Sequence, residues 1–189
     1  MSQRVCPWWL GYFLASPLRR LSTNPFRMVL PFVHEGMTVL EPGPGMGFFT
    51  TELARLVGPS GRVVVVDIQP KMLSGLKRRL AKRGLLERVD VRLATPDSMG
   101  LDGLDGRFDF ALVFAVVHEL PSGVSFFAEA AKALKPGALL LLAEPRGHVN
   151  EAKFEAELQA AAQAQLELVD RPAVPHSRGA LLKKRLVSP

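Results

Sequence analysis

The stretch VLEPGPGMGFFT, residues 39–50, begins as an apolar strand, ends that strand in a carboxylate, and runs through three alternating glycines into a helical pattern. In doubly wound α/β sheets, ligands bind at the carboxyl ends of the strands, where the strand order reverses. Glycine is favoured in such a turn because a Cβ atom would hold a ligand away from the backbone. Glu41, Gly43, Gly45 and Gly47 therefore predict a ligand-binding turn, and tight packing without a ligand is the alternative.

The spacing of the glycines distinguishes between two kinds of ligand. A dinucleotide-binding turn has the pattern G-x-G-x-x-G, and its third glycine would fall on Phe48. Glu41, two positions before the first glycine, would repel a pyrophosphate and attract a cationic group. The stretch therefore argues against a nicotinamide-dependent oxidoreductase and favours a ligand that carries a positive charge.

The rest of the chain alternates short apolar runs with amphipathic segments. Strands are predicted at residues 37–41, 62–67, 89–94, 108–114, 138–143, 165–170 and 180–186, separated by helices that end near residues 33, 57, 84, 134 and 164. Strands that alternate with helices form right-handed βαβ units and a parallel sheet. No helical pattern separates the last two strands. The predicted fold is α/β: a doubly wound, mostly parallel seven-stranded sheet with an antiparallel strand at one edge.

Two acidic residues follow the second and third strands. Asp67 ends the second strand, where a carboxylate accepts hydrogen bonds from both hydroxyls of an adenosine ribose. Asp97 follows the third strand, where a short acid is placed to receive an exocyclic adenine amine. The alternatives are a solvated strand end for Asp67 and a helix N-cap for Asp97.

Taken in this order, the segments resemble the class I S-adenosylmethionine-dependent methyltransferases, in the small-molecule branch that includes the ubiquinone/menaquinone-biosynthesis enzymes. The resemblance covers residues 35–187 and includes FAVVHEL at 114–120 and LKPGA at 134–138, with alanine where the family has a second glycine. It implies S-adenosyl-L-methionine as the cofactor and S-adenosyl-L-homocysteine as its product. The cofactor-binding residues that it implies are Glu41, Gly43, Gly45, Gly47, Asp67, Ile68, Met72, Asp97 and Phe114.

The acceptor is expected to approach the cofactor after the fourth strand, where His118 lies. Histidine titrates near neutral pH, which suits a general base, and a positioning or packing role is the alternative. Glu144 ends the fifth strand and His148 follows four residues later, so both are predicted to line the rim of the same pocket as acceptor contacts. The histidines and Cys6 show no close metal-ligand spacing, and no metal site is predicted.

The amino-terminal segment, residues 1–34, is interpreted as a helical lid ahead of a methyltransferase domain at residues 35–189. It holds the single cysteine, Cys6, and both tryptophans, Trp8 and Trp9, which are candidate acceptor contacts. A lid would exclude water and hold the acceptor in line with the methyl group. An amphipathic anchor on a membrane surface and a purely structural packing role are the alternatives.

The composition excludes several classes of protein. The chain has 189 residues, 48% hydrophobic and 22% charged, which is typical of one globular domain. Its apolar runs are far shorter than the roughly 18 residues that a membrane-spanning helix needs. One cysteine excludes an internal disulfide and fits the reducing cytoplasm. The formal charge of +6 comes largely from basic residues at 71–88 and 178–185, which is typical of solvated surfaces.

The function predicted from these features is a cytoplasmic S-adenosylmethionine-dependent methyltransferase with a small-molecule acceptor. No [D/N]-P-P-[F/Y/W] motif and no Pro-Cys pair follow the fourth strand, which argues against methylation of nucleic-acid bases. The alternative function is a protein of the same fold that binds the cofactor without transferring its methyl group, or that docks on RNA through the basic residues at 71–88.

Overall fold

The computed structural model describes residues 23–186, which form a seven-stranded sheet flanked by helices. The strands are β1 Thr38–Pro42, β2 Arg62–Asp67, β3 Val89–Leu93, β4 Phe108–Phe114, β5 Leu134–Pro145, β6 Leu166–Asp170 and β7 Ser177–Lys184. Their order across the sheet is β3-β2-β1-β4-β5-β7-β6. The predicted doubly wound, seven-stranded sheet is therefore confirmed.

The strand β1 marks the point where the winding of the sheet reverses, because it pairs in parallel with both β2 and β4. Such a reversal opens a crevice at the carboxyl ends of the two strands that flank it. At the other end of the sheet, β7 pairs antiparallel with β5 on one side and with β6 on the other. The expected antiparallel addition is present, with β7 second from the edge and β6 as the edge strand.

Helices cover both faces of the sheet within the described residues. They are α1 Pro25–Val29, α2 Thr50–Leu56, α3 Pro70–Ala81, α4 Gly123–Ala133 and α5 Glu151–Gln163, with short 3-10 helices at Leu86–Arg88 and Val117–Glu119. Successive side chains of β2 point to opposite faces: Val63 and Val65 pack with α1, α2 and α3, while Val64 and Val66 pack with α4 and α5. This double burial explains why β2 is an almost unbroken run of valines.

The helix α1 is shorter than the sequence predicts because Pro31 interrupts it. Asn24 caps its start, since its side-chain oxygen accepts the backbone N–H of Arg27 at 3.1 Å. Pro31 has no N–H to donate to the carbonyl of Arg27, and α1 ends at Val29. The expectation of a helix to residue 33 is wrong. The helix α3, in contrast, ends close to the expected position.

The strand β5 begins four residues earlier than the sequence predicts. Leu134 pairs with Phe108 and Leu139 pairs with Phe110, so the register shifts between these pairs and β5 carries extra residues. The Pro136-Gly137 pair lies in this irregularity, where Gly137 has a φ of +78°. The sequence predicts a helix that ends near residue 134 and a strand that begins only at residue 138, but the bulge absorbs the intervening proline and glycine inside the strand.

Residues just before β1 pack into the core of the sheet. Val29 and Val33 are buried with side chains of α2 and α3, and the ring of Phe32 stacks on that of Phe110 with centroids 5.5 Å apart. Most of the lid segment, with Cys6, Trp8 and Trp9, lies outside the described residues. The boundary between a lid at residues 1–34 and a methyltransferase domain at residues 35–189 stays a prediction. None of the described helices combines the length and the apolarity that crossing a membrane requires.

Candidate active site

The glycine turn between β1 and α2 has a left-handed backbone at all three glycines, with φ of +64° at Gly43, +54° at Gly45 and +86° at Gly47. A Cβ atom at Gly43 would lie 2.5 Å from Cγ2 of Val116, and one at Gly47 would lie 2.5 Å from Cδ1 of Leu76. These two glycines keep the turn packed. A Cβ atom at Gly45 would meet no described atom within 4 Å. Gly45 therefore borders open space into which a ligand can fit.

Glu41 ends β1 at the start of this turn and is only 3% exposed. Its Oε2 atom has no hydrogen-bond partner among residues 23–186. Burial raises the pKa of Glu41 to about 8, although Thr50 at the start of α2 lies close enough to oppose this rise. A buried carboxyl group with an unpaired oxygen is costly to ionise alone, and a bound cation would relieve that cost.

Asp67, at the end of β2, lies on the other side of the glycine turn. Its Oδ1 atom accepts the backbone N–H of Gln69 at 2.8 Å. Burial raises the pKa of Asp67 to about 6, and the charge of Glu119 adds to this, while the backbone N–H groups of Gln69, Gly45 and Ile68 lower it. Gly45 and Asp67 are therefore neighbours in the crevice. Ile68 follows and is 37% exposed.

Two further residues that the sequence implied for the cofactor lie beside the glycine turn. Met72 at the start of α3 is buried against Met46 of the turn. Phe114 ends β4, and its ring packs against that of Phe49 with centroids 4.7 Å apart. The apolar side of the crevice is thus built from α3, the turn and β4.

Asp97 is exposed in a turn that a bridge between Thr95 and Ser98 closes. The described chain forms no α-helix between Leu93 and Phe108, so the alternative that Asp97 caps a helix is wrong. Its contact with an adenine amine stays a prediction.

His118 lies in the 3-10 helix after β4, and its Nδ1 atom forms a short hydrogen bond with Oε2 of Glu144 at the end of β5. The other oxygen of Glu144 accepts the backbone N–H groups of Val116 at 3.1 Å and Val117 at 2.8 Å. Burial lowers the pKa of His118, but the hydrogen bond and the charge of Glu144 outweigh it and hold this pKa above the usual value. The fully buried Glu144 therefore fixes the orientation and basicity of the imidazole.

Other ionisable side chains surround this pair. The ring of His148 lies 5.3 Å from that of His118, and Nε2 of His118 lies 3.9 Å from Oε1 of Glu119. Glu157 of α5 has a buried Oε2 atom without a hydrogen-bond partner in the described range. Burial and then the charge of Glu144 raise the pKa of Glu157 to about 7, while His118 lowers it. The structure thus brings together His118, Glu144 and His148, as the sequence predicts.

Sequence reasoning missed Glu157 and the backbone N–H groups that bind Glu144. Glu157 lies on the same helical face as Phe154, Leu158 and Ala161, which are buried. An acid within the apolar stripe of a helix is the signal that would have identified it. The backbone N–H groups have no comparable signal, because they depend on the 3-10 turn that follows β4.

A doubly wound sheet in this strand order, with a glycine turn after β1 and carboxyl groups after β1 and β2, defines the class I S-adenosylmethionine-dependent methyltransferases. Residues 33–183 match the family model described as a methyltransferase domain, and the chain belongs to that family. The residues present fit the cofactor. Glu41 would face its cationic methionine end, Gly45 leaves it room, and Asp67 would accept its ribose hydroxyls.

The chain is similar to proteins named ubiquinone/menaquinone biosynthesis C-methyltransferase UbiE. It is 32% identical over 131 residues to that of Azotobacter vinelandii, covering 69% of this chain and 51% of the relative. For the Pasteurella multocida protein the identity is 30% over 112 residues, covering 59% and 41%. The chain therefore spans about half the length, or less, of these curated relatives.

Solved structures share the fold. A SAM-dependent methyltransferase from Aquifex aeolicus aligns with a TM-score of 0.84 at 24% identity, covering 95% of this chain and 99% of that one. The [4+2]-cyclase SpnF aligns with a TM-score of 0.70 at 17% identity, covering 85% and 80%. Because one of these proteins is a methyltransferase and the other a cyclase, the fold alone does not define the chemistry.

Proposed function

We propose that this chain transfers a methyl group from S-adenosylmethionine to a small-molecule acceptor that gives up a proton, with His118 as the general base. The hydrogen bond between His118 and the buried Glu144 carries the proposal, because it places an oriented imidazole of raised pKa beside the crevice. The UbiE relatives support a small acceptor, since their name refers to quinone biosynthesis. The single cysteine supports a cytoplasmic location.

Three residues would hold the cofactor. Glu41 would pair with the cationic methionine group, Asp67 would accept hydrogen bonds from the ribose hydroxyls, and the backbone at Gly45 would border the ligand. When bound, S-adenosylmethionine supplies an electrophilic methyl group and leaves as S-adenosylhomocysteine. The unpaired Oε2 atom of Glu41 is the feature that supports a cationic ligand most directly.

His118 would handle the acceptor proton. Its Nδ1 atom is engaged with Glu144, which leaves Nε2 to accept a proton from the acceptor as the acceptor becomes methylated. The charge of Glu144 would balance the imidazolium ion that forms. Both oxygens of Glu144 are already engaged, so we assign it a positioning role instead of the direct acceptor contact that the sequence suggested.

The acceptor would lie over His118 and the exposed ring of His148, under a lid formed by residues 1–34. The position of His148 beside His118 supports the first part of this arrangement. The lid, with Cys6, Trp8 and Trp9 as acceptor contacts, rests on the sequence alone. A chain that begins at Thr23 tests it: we expect cofactor affinity to change by only a few-fold and methyl transfer to be lost, and full activity would contradict a lid.

Binding and transfer are tested separately. S-adenosylhomocysteine is expected to raise the melting temperature, and NAD is not. Tritiated S-adenosylmethionine is then offered with quinols, thiols and amines to the wild type and to His118→Gln. We expect one class to be labelled, and the variant to bind the cofactor normally but to lose roughly a hundredfold or more in rate. Cofactor binding with no labelled acceptor would favour a non-catalytic binding protein.

A further inference from the structure

A cleft of about 910 Å³ lies at the amino-terminal ends of the parallel strands. Thr38 and Arg62, the first residues of β1 and β2, line it together with Val89, the first residue of β3. The site described above lies at the carboxyl ends of the same strands. Since β1 has five residues, the two edges are about 15 Å apart. The cleft is therefore separate from the cofactor site, and its volume is typical of a small-molecule site.

The cleft has an excess of positive charge. Four cationic side chains line it against a single acid, Asp90, which is itself paired with Arg92 at 2.8 Å. The cations are Arg62, Lys77, Arg107 and Lys135. Lys135 is paired with Asp109, but Lys77 and Arg107 have no ion-pair partner within residues 23–186. Arg62 donates one N–H to the carbonyl of Glu87 and is otherwise unpaired in that range.

The remaining walls of the cleft are apolar or bare backbone. Apolar side chains line the cleft from both faces of the sheet: Val64 and Leu104 belong to the face that α4 and α5 cover, and Leu86, Val89 and Val91 to the face that α3 covers. Gly103 and Gly106 line another, with φ of +77° and +60°, and a Cβ atom on either would meet no described atom within 4 Å. A ligand can therefore approach the backbone closely there while an apolar part packs on the side chains.

We propose that this cleft binds a phosphate-bearing small molecule with an apolar ring, of the nucleotide type, independently of the methyltransferase reaction. Two arginines and a lysine without carboxylate partners match a ligand with more than one negative charge, and the guanidinium fork suits phosphate oxygens. Leu86, Val89 and Val91, on the α3 side, offer apolar side chains against which a ring can pack. The lining that the described residues form includes no aromatic side chain on which successive bases could stack, which favours a small ligand over a single-stranded polynucleotide.

The test uses the full chain saturated with S-adenosylhomocysteine, so that nucleotides are kept out of the adenosine site. Calorimetry with uridine diphosphate, inorganic pyrophosphate and uridine is expected to give saturable one-to-one binding for the first, weaker binding for the second and none for the third. In an NMR titration the amides of Gly103 and Gly106 should shift, and that of Gly45 should not.

The variants Arg62→Gln/Arg107→Gln and Lys77→Gln localise the binding. We expect the double variant to bind uridine diphosphate at least about tenfold more weakly than the wild type does. Arg83 is an exposed cation outside the cleft, so Arg83→Gln should change the affinity for uridine diphosphate little. The melting temperature of each variant shows whether it folds. An equal loss in Arg83→Gln, no saturable binding, or tighter binding of a single-stranded oligonucleotide than of uridine diphosphate would each overturn the proposal. If S-adenosylhomocysteine did not bind, that result would contradict the proposed methyltransferase function and not the proposal for this cleft.

Discussion

His118 and Glu144 lie 26 positions apart in the chain, yet their side chains form a hydrogen bond across the ends of the neighbouring strands β4 and β5. The sheet creates this contact, because parallel pairing of Phe114 with Ala143 brings the two strand ends together. Two backbone N–H groups of the turn after β4 hold the second oxygen of Glu144. The imidazole is therefore oriented by the fold before any acceptor binds.

Replacing Glu144 by Gln is expected to move the pH dependence of methyl transfer. His118 must be neutral to accept a proton, so activity should rise with pH through its pKa, which Glu144 holds above the usual value. Without that charge, burial lowers the pKa of His118, and the ascending limb should move to lower pH with a reduced plateau. Steady-state rates between pH 5 and 9 measure this.

Two controls accompany the Glu144→Gln variant. Cofactor affinity should stay within a few-fold, since Glu144 does not border Gly45 or Asp67, and the melting temperature shows how much of any loss reflects instability. His118→Gln should remove the ascending limb altogether. If the rate of methyl transfer rose at the same pH in the wild type and in Glu144→Gln, Glu144 would not set the basicity of His118.

Replacing Glu157 by Gln is expected to stabilise the protein at alkaline pH. The pKa of Glu157 is raised from 4.5 to about 7, so the folded protein holds this proton more tightly than the unfolded chain. That stabilisation is complete below pH 4.5 and is lost as the pH rises through 7. Glu157→Gln should therefore melt higher than the wild type at pH 8 and similarly at pH 4.5.

The matched control for Glu157 is Glu155→Gln on the same helix, because Glu155 pairs with Arg171 at 2.7 Å on the surface. This exposed pair should contribute little, and its loss should not produce an increase in melting temperature at pH 8. If the melting temperatures of the wild type and Glu157→Gln depended on pH in the same way, the pKa of Glu157 would not be raised in the folded protein.

The sheet and the cofactor side of the site could be predicted from the sequence because each depends on local patterns. The valines of β2 and the glycines at 43, 45 and 47 occupy positions that strand periodicity and turn chemistry dictate. The His118–Glu144 bond could be predicted only as proximity, since its geometry depends on the register of β4 and β5. The bulge that absorbs Pro136-Gly137 could not be predicted, because tertiary pairing overrides the local preference of those residues.

Cofactor binding is expected to release a proton from Glu41. Burial raises the pKa of Glu41 to about 8, so its carboxyl group is mostly neutral at pH 7 in the free protein. A cationic ligand favours the ionised form and would lower this pKa. Calorimetry with S-adenosylmethionine, whose sulfonium carries the positive charge, in two buffers of different ionisation enthalpy measures the release, which Glu41→Gln should abolish. Equal heats in both buffers for the wild type would mean that no proton leaves Glu41.

Replacing Gly45 by Ala is expected to reduce the affinity for the cofactor much more than it reduces the stability of the fold. The added methyl group would project into open space within the crevice and collide with a ligand there. Gly84 is the matched control: its φ is +64°, and its Cβ would likewise meet no described atom within 4 Å, but it lies after α3, away from the crevice. Both variants should lose about 1–2 kcal/mol of stability from backbone strain. Only Gly45→Ala should lose affinity, and equal affinities would show that Gly45 does not border the ligand.

Replacing Asp67 by Asn is expected to weaken the binding of S-adenosylhomocysteine roughly ten- to a hundredfold. It should also remove the fall in affinity that the wild type shows at acidic pH. The ribose hydroxyls would donate to the ionised carboxylate, and burial raises the pKa of Asp67 to about 6. Wild-type affinity should therefore fall as the pH drops through 6. The variant should bind weakly and keep only the dependence on pH that Glu41 contributes. Asp170 is the control, because it also ends a strand and accepts a backbone N–H, at 2.8 Å from Arg171, but lies on the far edge of the sheet. Asp170→Asn should leave both the affinity and its pH dependence unchanged, and a wild-type affinity that is constant from pH 5 to 8 would remove Asp67 from the binding site.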